Sequence, residues 1–316
     1  MNQKLFSDKN TNSNHTQPSV CAVVLNWNAL DDTTECIESL KNVHYANLKI
    51  VIVDNASNDG SAVKLSQLYP DMSILKLNHN GGYAAGNNAG IRWGLQNGFD
   101  YILVINNDTV VEPHFLTPLV ETIEANPSIG ITTGKVLYYE ERKRIYSAGG
   151  YFSKLYCAGI NGRFKENDEF LANEEKIQEI SFVPGCMMLI HRKVFEDFGL
   201  MDEMYFLYFE DLEFSRRVSK KYTLAYVPSS RIYHKSGGGT RWSNYTPTYF
   251  YYHSRNRIWV FRNESPVYQI YVLFYSLINA LAKAIVIIFQ NIRETKYFPW
   301  KQLKAIRQGI IDGVIK

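Results

Sequence analysis

The run Tyr101-Ile-Leu-Val-Ile-Asn-Asn-Asp108-Thr breaks off from apolar residues into two amides and a carboxylate. A strand that apolar is buried on both faces, and open α/β sheets take their ligands at the carboxyl ends of such strands. Asp108 is therefore a metal-ligand candidate, with Asn106 and Asn107 beside it. A second cluster, Tyr205-Phe-Leu-Tyr-Phe-Glu210-Asp211-Leu-Glu213-Phe-Ser-Arg-Arg217, delivers adjacent carboxylates from an aromatic run to the start of a helix. A carboxylate held partly out of water gains basicity, so Asp211, with Glu210, is a candidate general base. The plainer reading is a helix cap at Asp211 and a surface pair between Glu213 and Arg217. Third, Tyr233-His234-Lys-Ser-Gly-Gly-Gly239 sets a histidine before a glycine segment able to fold over a diphosphate. A lone histidine is usually structural, but His234 could complete a metal site begun by Asp108.

Amides and small residues recur where other strands should end. Asn26-Trp27-Asn28 follows the first expected strand and Asp54-Asn55 the second, where a carboxylate can accept hydrogen bonds from a nucleobase or ribose. Asn80-Gly81-Gly82 opens a stretch running through Gly86 and Asn88 to Gly90, in which small residues would let a ligand approach the backbone and a helix amino terminus face phosphate. Each cluster alone reads as turn geometry; their recurrence at one sheet edge points to a site. A Rossmann dehydrogenase needs its glycine turn directly after the first strand, yet no glycine occurs there before Gly60. A nucleotidyltransferase would ordinarily carry a glycine-rich, basic phosphate loop at the same place, which is equally lacking.

The elements that must position these residues follow from periodicity. Residues 20–25, 48–53 and 101–105 read as buried strands, and 31–41, 60–69 and 83–96 carry helical spacing, with Asp31 marking the first helix start and Glu112-Pro113 a later one. This alternation predicts an α/β fold with a mostly parallel sheet flanked by helices. Residues 138–179 lose the pattern and accumulate charge, predicting an irregular or antiparallel insertion. Beyond it, 182–190 reads as a bent strand, 193–198 and 211–220 as helices, and 222–227 as a strand.

The 316 residues suffice for one large domain with an appendage. Four cysteines, Cys21, Cys36, Cys157 and Cys186, lack metal or disulfide spacing and read as buried thiols in a reducing compartment. Residues 1–19 form a polar tail without the apolar stretch of a secretory signal, so the catalytic part is expected in the cytoplasm. The formal net charge of +3 hides an asymmetry: from Arg231 onward, 13 Lys and Arg face only Glu264, Glu294 and Asp312. Domain limits are expected at 20–244 for the body and 245–316 for a basic, aromatic, helical extension. In it, residues 265–282 carry no formal charge, and three readings stand: a helix in the membrane interface, a true span, or a helix packed on the protein. The uncharged run favours an anionic membrane surface over nucleic acid.

Taken together, these residues resemble the family-2 glycosyltransferases of the GT-A fold, particularly the rhamnosyltransferase-like members of bacterial polysaccharide assembly. The resemblance covers about residues 20 to 240. The stretch Val51-Ile-Val-Asp54-Asn-Ala-Ser-Asn-Asp-Gly-Ser61 is similar to the segment that holds the nucleotide base, and residues 80–90 match the N-x-G-x-x-x-G-x-N-x-G loop. Asn106-Asn107-Asp108 takes the place of the DXD metal motif, departing from it at Asn106. Glu210-Asp211 matches the ED motif, and Arg217 the arginine that ends it. The resemblance implies an inverting enzyme with Asp211 as base and a divalent ion, Mg²⁺ or Mn²⁺, on Asp108 and His234. Asn26, Asn28, Asp54, Asn55, Asn80, Gly81, Asn88, Asn106, Asn107 and Arg217 are expected around a nucleoside-diphosphate sugar, with dTDP-rhamnose or a UDP-sugar as donor. The expected acceptor is a saccharide, polyprenyl-linked, met at the cytoplasmic face of the inner membrane. The rival is an inactive sugar-binding protein of the same fold, whose mark would be loss of Asp108 or Asp211.

Overall fold

The computed structural model describes residues 17–171, 176–235, 245–294 and 298–315. The polar tail up to residue 16 and the glycine segment after Lys235 lie outside the described residues.

Three βα units come first: β1 (Val20–Asn26), α1 (Leu30–Lys41), β2 (Leu48–Asp54), α2 (Ser61–Leu68), β3 (Ser73–Lys76) and α3 (Gly82–Gln96). Then follow β4 (Tyr101–Asn106), β5 (Thr109–Val111), α4 (Leu116–Ala125) and β6 (Ile129–Tyr138). The expected insertion consists of short strands β7 (Ile145–Ala148), β8 (Gly150–Ser153), β9 (Ala158–Asn161) and β10 (Gln178–Ile180). The body continues with β11 (Met187–His191), α5 (Arg192–Phe198), α6 (Glu210–Val218) and β12 (Thr223–His234), and the chain ends in α7 (Pro247–Trp259), α8 (Pro266–Glu294) and α9 (Trp300–Ile315).

The main sheet runs β10-β12-β6-β11-β4-β1-β2-β3, with β5 and β7 attached to β12 and β6. β3, β2, β1 and β4 are parallel; β11 enters antiparallel between β4 and β6, and β12 runs parallel to β6. Alternate residues of β1 serve two cores. Val20, Ala22 and Val24 pack with α1, α2 and α4, whereas Cys21 and Val23 pack with α3, α5 and α6. Burial on both faces is why these strands read as unbroken apolar runs. All four cysteines are free and buried.

Several expectations needed correcting. Asp31 does not cap α1: Ala29 holds that position without a side-chain bond, and Asp31 lies within the first turn, where its charge favours the helix dipole. Pro113 precedes α4 by a turn instead of opening it. β12 runs seven residues past its expected end, so His234 sits on a strand end and not in a loop. Along α3, Gly86 and Gly90 are not ligand contacts. A Cβ at either position would overlap Leu25 or Val23 of β1, so their smallness seats the helix on the sheet.

The insertion is fastened by charge. Lys135 of β6, fully buried, meets Asp168 at 2.6 Å, and Arg231 of β12 lies 3.3 Å from the same carboxylate. α7 and the start of α8 share a core with this region: Trp259, Phe261 and Val272 pack with Cys157, Phe182, Tyr205, Phe209 and Leu212.

Candidate active site

Three strand ends are tied by one relay of amides and hydroxyls. Asn107 Nδ2 donates to Thr33 Oγ1 (2.8 Å), which donates to Asn26 Oδ1 (2.8 Å), and Asn26 Nδ2 donates to Asp54 Oδ1 (2.7 Å). Asp54 Oδ2 takes the Ser57 amide at 3.0 Å, so this carboxylate, 2% exposed, has both oxygens engaged in shaping the loop after β2. Asn28 likewise holds that loop, accepting from the Asn58 amide. Asn55 carries the frame to the next strand end: its amide donates to Asn80 Oδ1 (2.9 Å) and its oxygen accepts from Gly81 N (3.2 Å).

Beside this frame opens a cavity of about 1080 Å³. Its sheet wall comprises Leu25, Trp27, Asn55, Asn80, Gly82, Tyr83 and Asn106 to Asp108, and its far wall Tyr251, Tyr252, Lys301 and Lys304 from α7 and α9. Asn26, Asn28, Asp54 and Gly81 are not among its lining residues: Asn26 and Asp54 are buried, and Asn28 is exposed. Two expected donor contacts are elsewhere. Asn88 is buried in bonds to Met201 and Glu203, and Arg217 is spent on Glu213 and on the carbonyls of Phe198 and Leu200. An arginine with its donors so occupied is holding α6 to the segment before it.

His234 Nε2 lies 3.1 Å from Asp108 Oδ1 and 3.4 Å from Asn106 Nδ2. Burial opposes ionisation of Asp108, yet the imidazole beside it outweighs that cost and holds the carboxyl below its ordinary range. Neither Asp108 Oδ1 nor His234 Nδ1 finds a well-formed hydrogen bond among the described residues, although both are buried. A buried carboxylate oxygen whose near neighbour is an imidazole nitrogen at 3.1 Å, without good hydrogen-bond geometry, fits a site shared with a cation. No group of three His, Cys, Asp or Glu side chains surrounds it among the described residues, so an ion here would draw its remaining ligands from substrate phosphate and water.

From this pair a path leads to the second carboxylate cluster. The Tyr83 hydroxyl lies 3.0 Å from Asn106 Oδ1 and donates to Gly185 O at 2.6 Å, while Gly185 N donates to Asp211 Oδ2 at 3.0 Å. Burial, reinforced by the charge of Glu210, pushes the Tyr83 hydroxyl well above its usual range, so it stays a donor. Burial also raises Asp211, to about 6, the Gly185 and Leu212 amides pulling the other way. Glu210 is raised further by burial and by its neighbour's charge, and its Oε2 has no hydrogen-bond partner among the described residues. Burial thus raises both carboxyls, and their proximity disfavours two charges in one site.

The aromatic run before them is a strained loop. Phe206, Tyr208 and Phe209 have φ of 59°, 68° and 71°, a region that costs non-glycine residues about 1–2 kcal/mol each. Gly82, at φ 86°, receives this loop: a Cβ there would overlap the Phe206 carbonyl, which accepts from Tyr83 N.

Residues 21–199 match the family model described as glycosyl transferase family 2. The chain belongs to that family. This family-2 glycosyltransferase is 25% identical over 211 residues to the N-acetylglucosaminyl-diphospho-decaprenol L-rhamnosyltransferase of Mycobacterium tuberculosis, covering 61% of this chain and 68% of that one. It is 25% identical over 276 residues to the dTDP-rhamnosyl transferase RfbF of Shigella flexneri, covering 83% and 86%. Among solved structures it superposes on the mannosyltransferase PcManGT of Pyrobaculum calidifontis, crystallised with GDP-Man and Mn²⁺, with a TM-score of 0.53 at 13% identity over 95% of this chain and 87% of that one. Such an identity speaks to the shared GT-A fold alone.

In the glycosyltransferase, Tyr83 is the side chain that sequence reasoning missed. It links the Asn106 end of β4 to the Glu210-Asp211 cluster, and only its position three residues after Asn80, inside the Asn80 to Gly90 motif, marked it out. The lysines of α9 gave no motif at all; folding brings them to the cavity from two hundred residues away.

Proposed function

We propose that this glycosyltransferase moves a sugar, with inversion, from a nucleoside diphosphate to a hydroxyl of a lipid-linked saccharide. What carries the reading is the continuous path Asp108–His234–Asn106–Tyr83–Gly185–Asp211, which joins a cation-ready pair to an elevated carboxylate. The nucleoside lies in the cavity over Asn55 and Asn80, with the half-exposed ring of Trp27 available to stack on its base. A divalent ion, Mg²⁺ or Mn²⁺, held by Asp108 and His234 would offset the charge of the departing diphosphate. Asp211 takes the proton of the attacking hydroxyl, while the Gly185 amide fixes the carboxylate's orientation. The Tyr83 hydroxyl holds Gly185 and Asn106 at a fixed spacing, and so the two halves of the site.

dTDP-rhamnose is the donor favoured by the names of the two similar rhamnosyltransferases, with UDP-sugars as the competing class. The first of those names also supports a polyprenyl-diphosphate acceptor. α8 supports a membrane location. Its residues Val272, Ser276, Lys283 and Ile287 face the protein, while Val267, Ile270, Phe274, Leu281, Ile285, Phe289 and Ile292 are exposed. A helix whose outer face is the apolar one suits the cytoplasmic surface of the inner membrane, lying in the interface, with the basic residues of the tail near anionic headgroups. The test is a panel of dTDP- and UDP-sugars, measuring nucleoside diphosphate release with Mn²⁺, with Mg²⁺ and with chelator. Turnover of dTDP-rhamnose that stops with chelator is expected; turnover of every donor at the same rate with chelator present rejects the metal and donor assignments.

A further inference from the structure

The loop that delivers Glu210 and Asp211 is held from outside the sheet, by α7. Asn256 Nδ2 lies 2.9 Å from Tyr205 O, 2.9 Å from Leu207 O and 2.7 Å from Tyr208 O. The adjacent Arg255 donates through Nη2 to Met204 O (2.8 Å) and Tyr205 O (3.0 Å), and through Nε to Asn256 Oδ1 (2.8 Å). That last bond fixes which way the amide points, with its NH₂ toward the carbonyls. Asn256 is fully buried and Arg255 nearly so, its guanidinium 3.9 Å over the Trp259 ring. The carbonyls they collect belong to the stretch in which Phe206, Tyr208 and Phe209 adopt positive φ. Such a backbone persists only where its surroundings over-determine it, and these two side chains supply that constraint.

We propose that Arg255 and Asn256 are positioning residues for the transfer reaction. By fixing the carbonyls of residues 204, 205, 207 and 208 they lock the loop against Gly82 and keep the Asp211 carboxylate at the Gly185 amide. The proposal rests on Asp211 being the base. A purely structural role, gluing α7 to the body, would lower stability without touching the titration of Asp211, and this separates the two.

The test uses the full chain and its Asn256→Ala, Arg255→Lys and Asp211→Asn variants. Hydrogen–deuterium exchange should quicken at least about tenfold at residues 205–212 in the first two, with β1, β2 and β4 unchanged. On dTDP-rhamnose and the UDP-sugars, kcat should fall roughly 10- to 100-fold, the scale set by a misplacement of about 1 Å. Affinity for dTDP and UDP should stay within about twofold, because neither Asn256 nor Arg255 itself lines the cavity. The acid limb of the kcat profile should move from near pH 6 toward the ordinary carboxylate range as Asp211 gains water. Unchanged exchange at 205–212 overturns the clamp. Faster exchange with unaltered kcat and acid limb overturns its catalytic consequence. Full turnover in Asp211→Asn removes the base assignment alone and leaves the exchange result standing. Should Asn256→Ala not fold, Arg255→Lys, which keeps the cation but loses the forked donation, gives the same readings.

Discussion

Burial raises both Asp211 and Glu210, and the role of Asp211 as base can be measured. Asp211→Asn should lower turnover by at least about 10²- to 10⁴-fold, the usual contribution of a general base, with nucleotide affinity retained in calorimetric titration. In the wild type, kcat should decline about tenfold per unit below pH 6, since Asp211 is raised to about 6 and its protonated form cannot accept a proton. The stability sign follows from the same shift. The folded-state value lies above the unfolded one, so the folded form binds the proton more tightly and this group's contribution becomes unfavourable as pH rises through that window. Asp211→Asn should therefore melt no lower than wild type at pH 8, and a clear loss of Tm there would contradict the burial cost. At the other end of the path, His234→Ala should weaken Mn²⁺ binding about 10- to 100-fold in titrations of the protein with the metal. Asp108, Asn106, Asn107, Asn55 and Asn80 were legible as candidates because amides and carboxylates interrupt apolar runs at strand ends, Glu210 and Asp211 because an aromatic run ends in two carboxylates at a helix start, and His234 because a glycine segment follows it. Arg217 and Asn88 sit in equally suggestive motifs yet serve neighbouring carbonyls, a distinction that depends on where the opposite loop passes.

At the scale of elements, the βαβ half was readable because strands buried on both faces and helices with one apolar stripe leave distinct periods in the chain. The insertion from β7 to β10 was legible only as an irregular or antiparallel stretch; its individual strands were not, since they are short and anchored by a buried ion pair instead of a stripe. Asp168→Ala should accordingly destabilise the protein by about 3–5 kcal/mol, the cost of leaving Lys135 buried without its nearest partner, as read by denaturant unfolding. Gly82→Ala is expected to displace the Phe206 carbonyl and, with φ at 86°, to cost the loop its seat, so nucleotide release should slow markedly while β-sheet circular dichroism is kept. The expected boundary at residue 244 marks a change of composition, but the hydrogen bonds of α7 cross it.

For the molecule as a whole, the apolar outer face of α8 and the cavity's basic wall on α9 belong to one helical assembly, so an acceptor drawn from a membrane would meet the site beside the face proposed to dock. Replacing Phe274, Leu281 and Phe289 together by Glu should abolish flotation with anionic liposomes while leaving hydrolysis of the donor unaffected; co-flotation undiminished in this variant would rule out α8 as the docking face. Arg255 and Asn256 also set a rule for protein engineering. A chimera that swapped residues 245–316 for the tail of another enzyme would exchange the donors beneath the carbonyls of residues 204, 205, 207 and 208 along with the apolar face of α8. Grafting a new membrane address onto this catalyst has to begin downstream of Trp259, leaving α7 with the half of the protein whose geometry it governs.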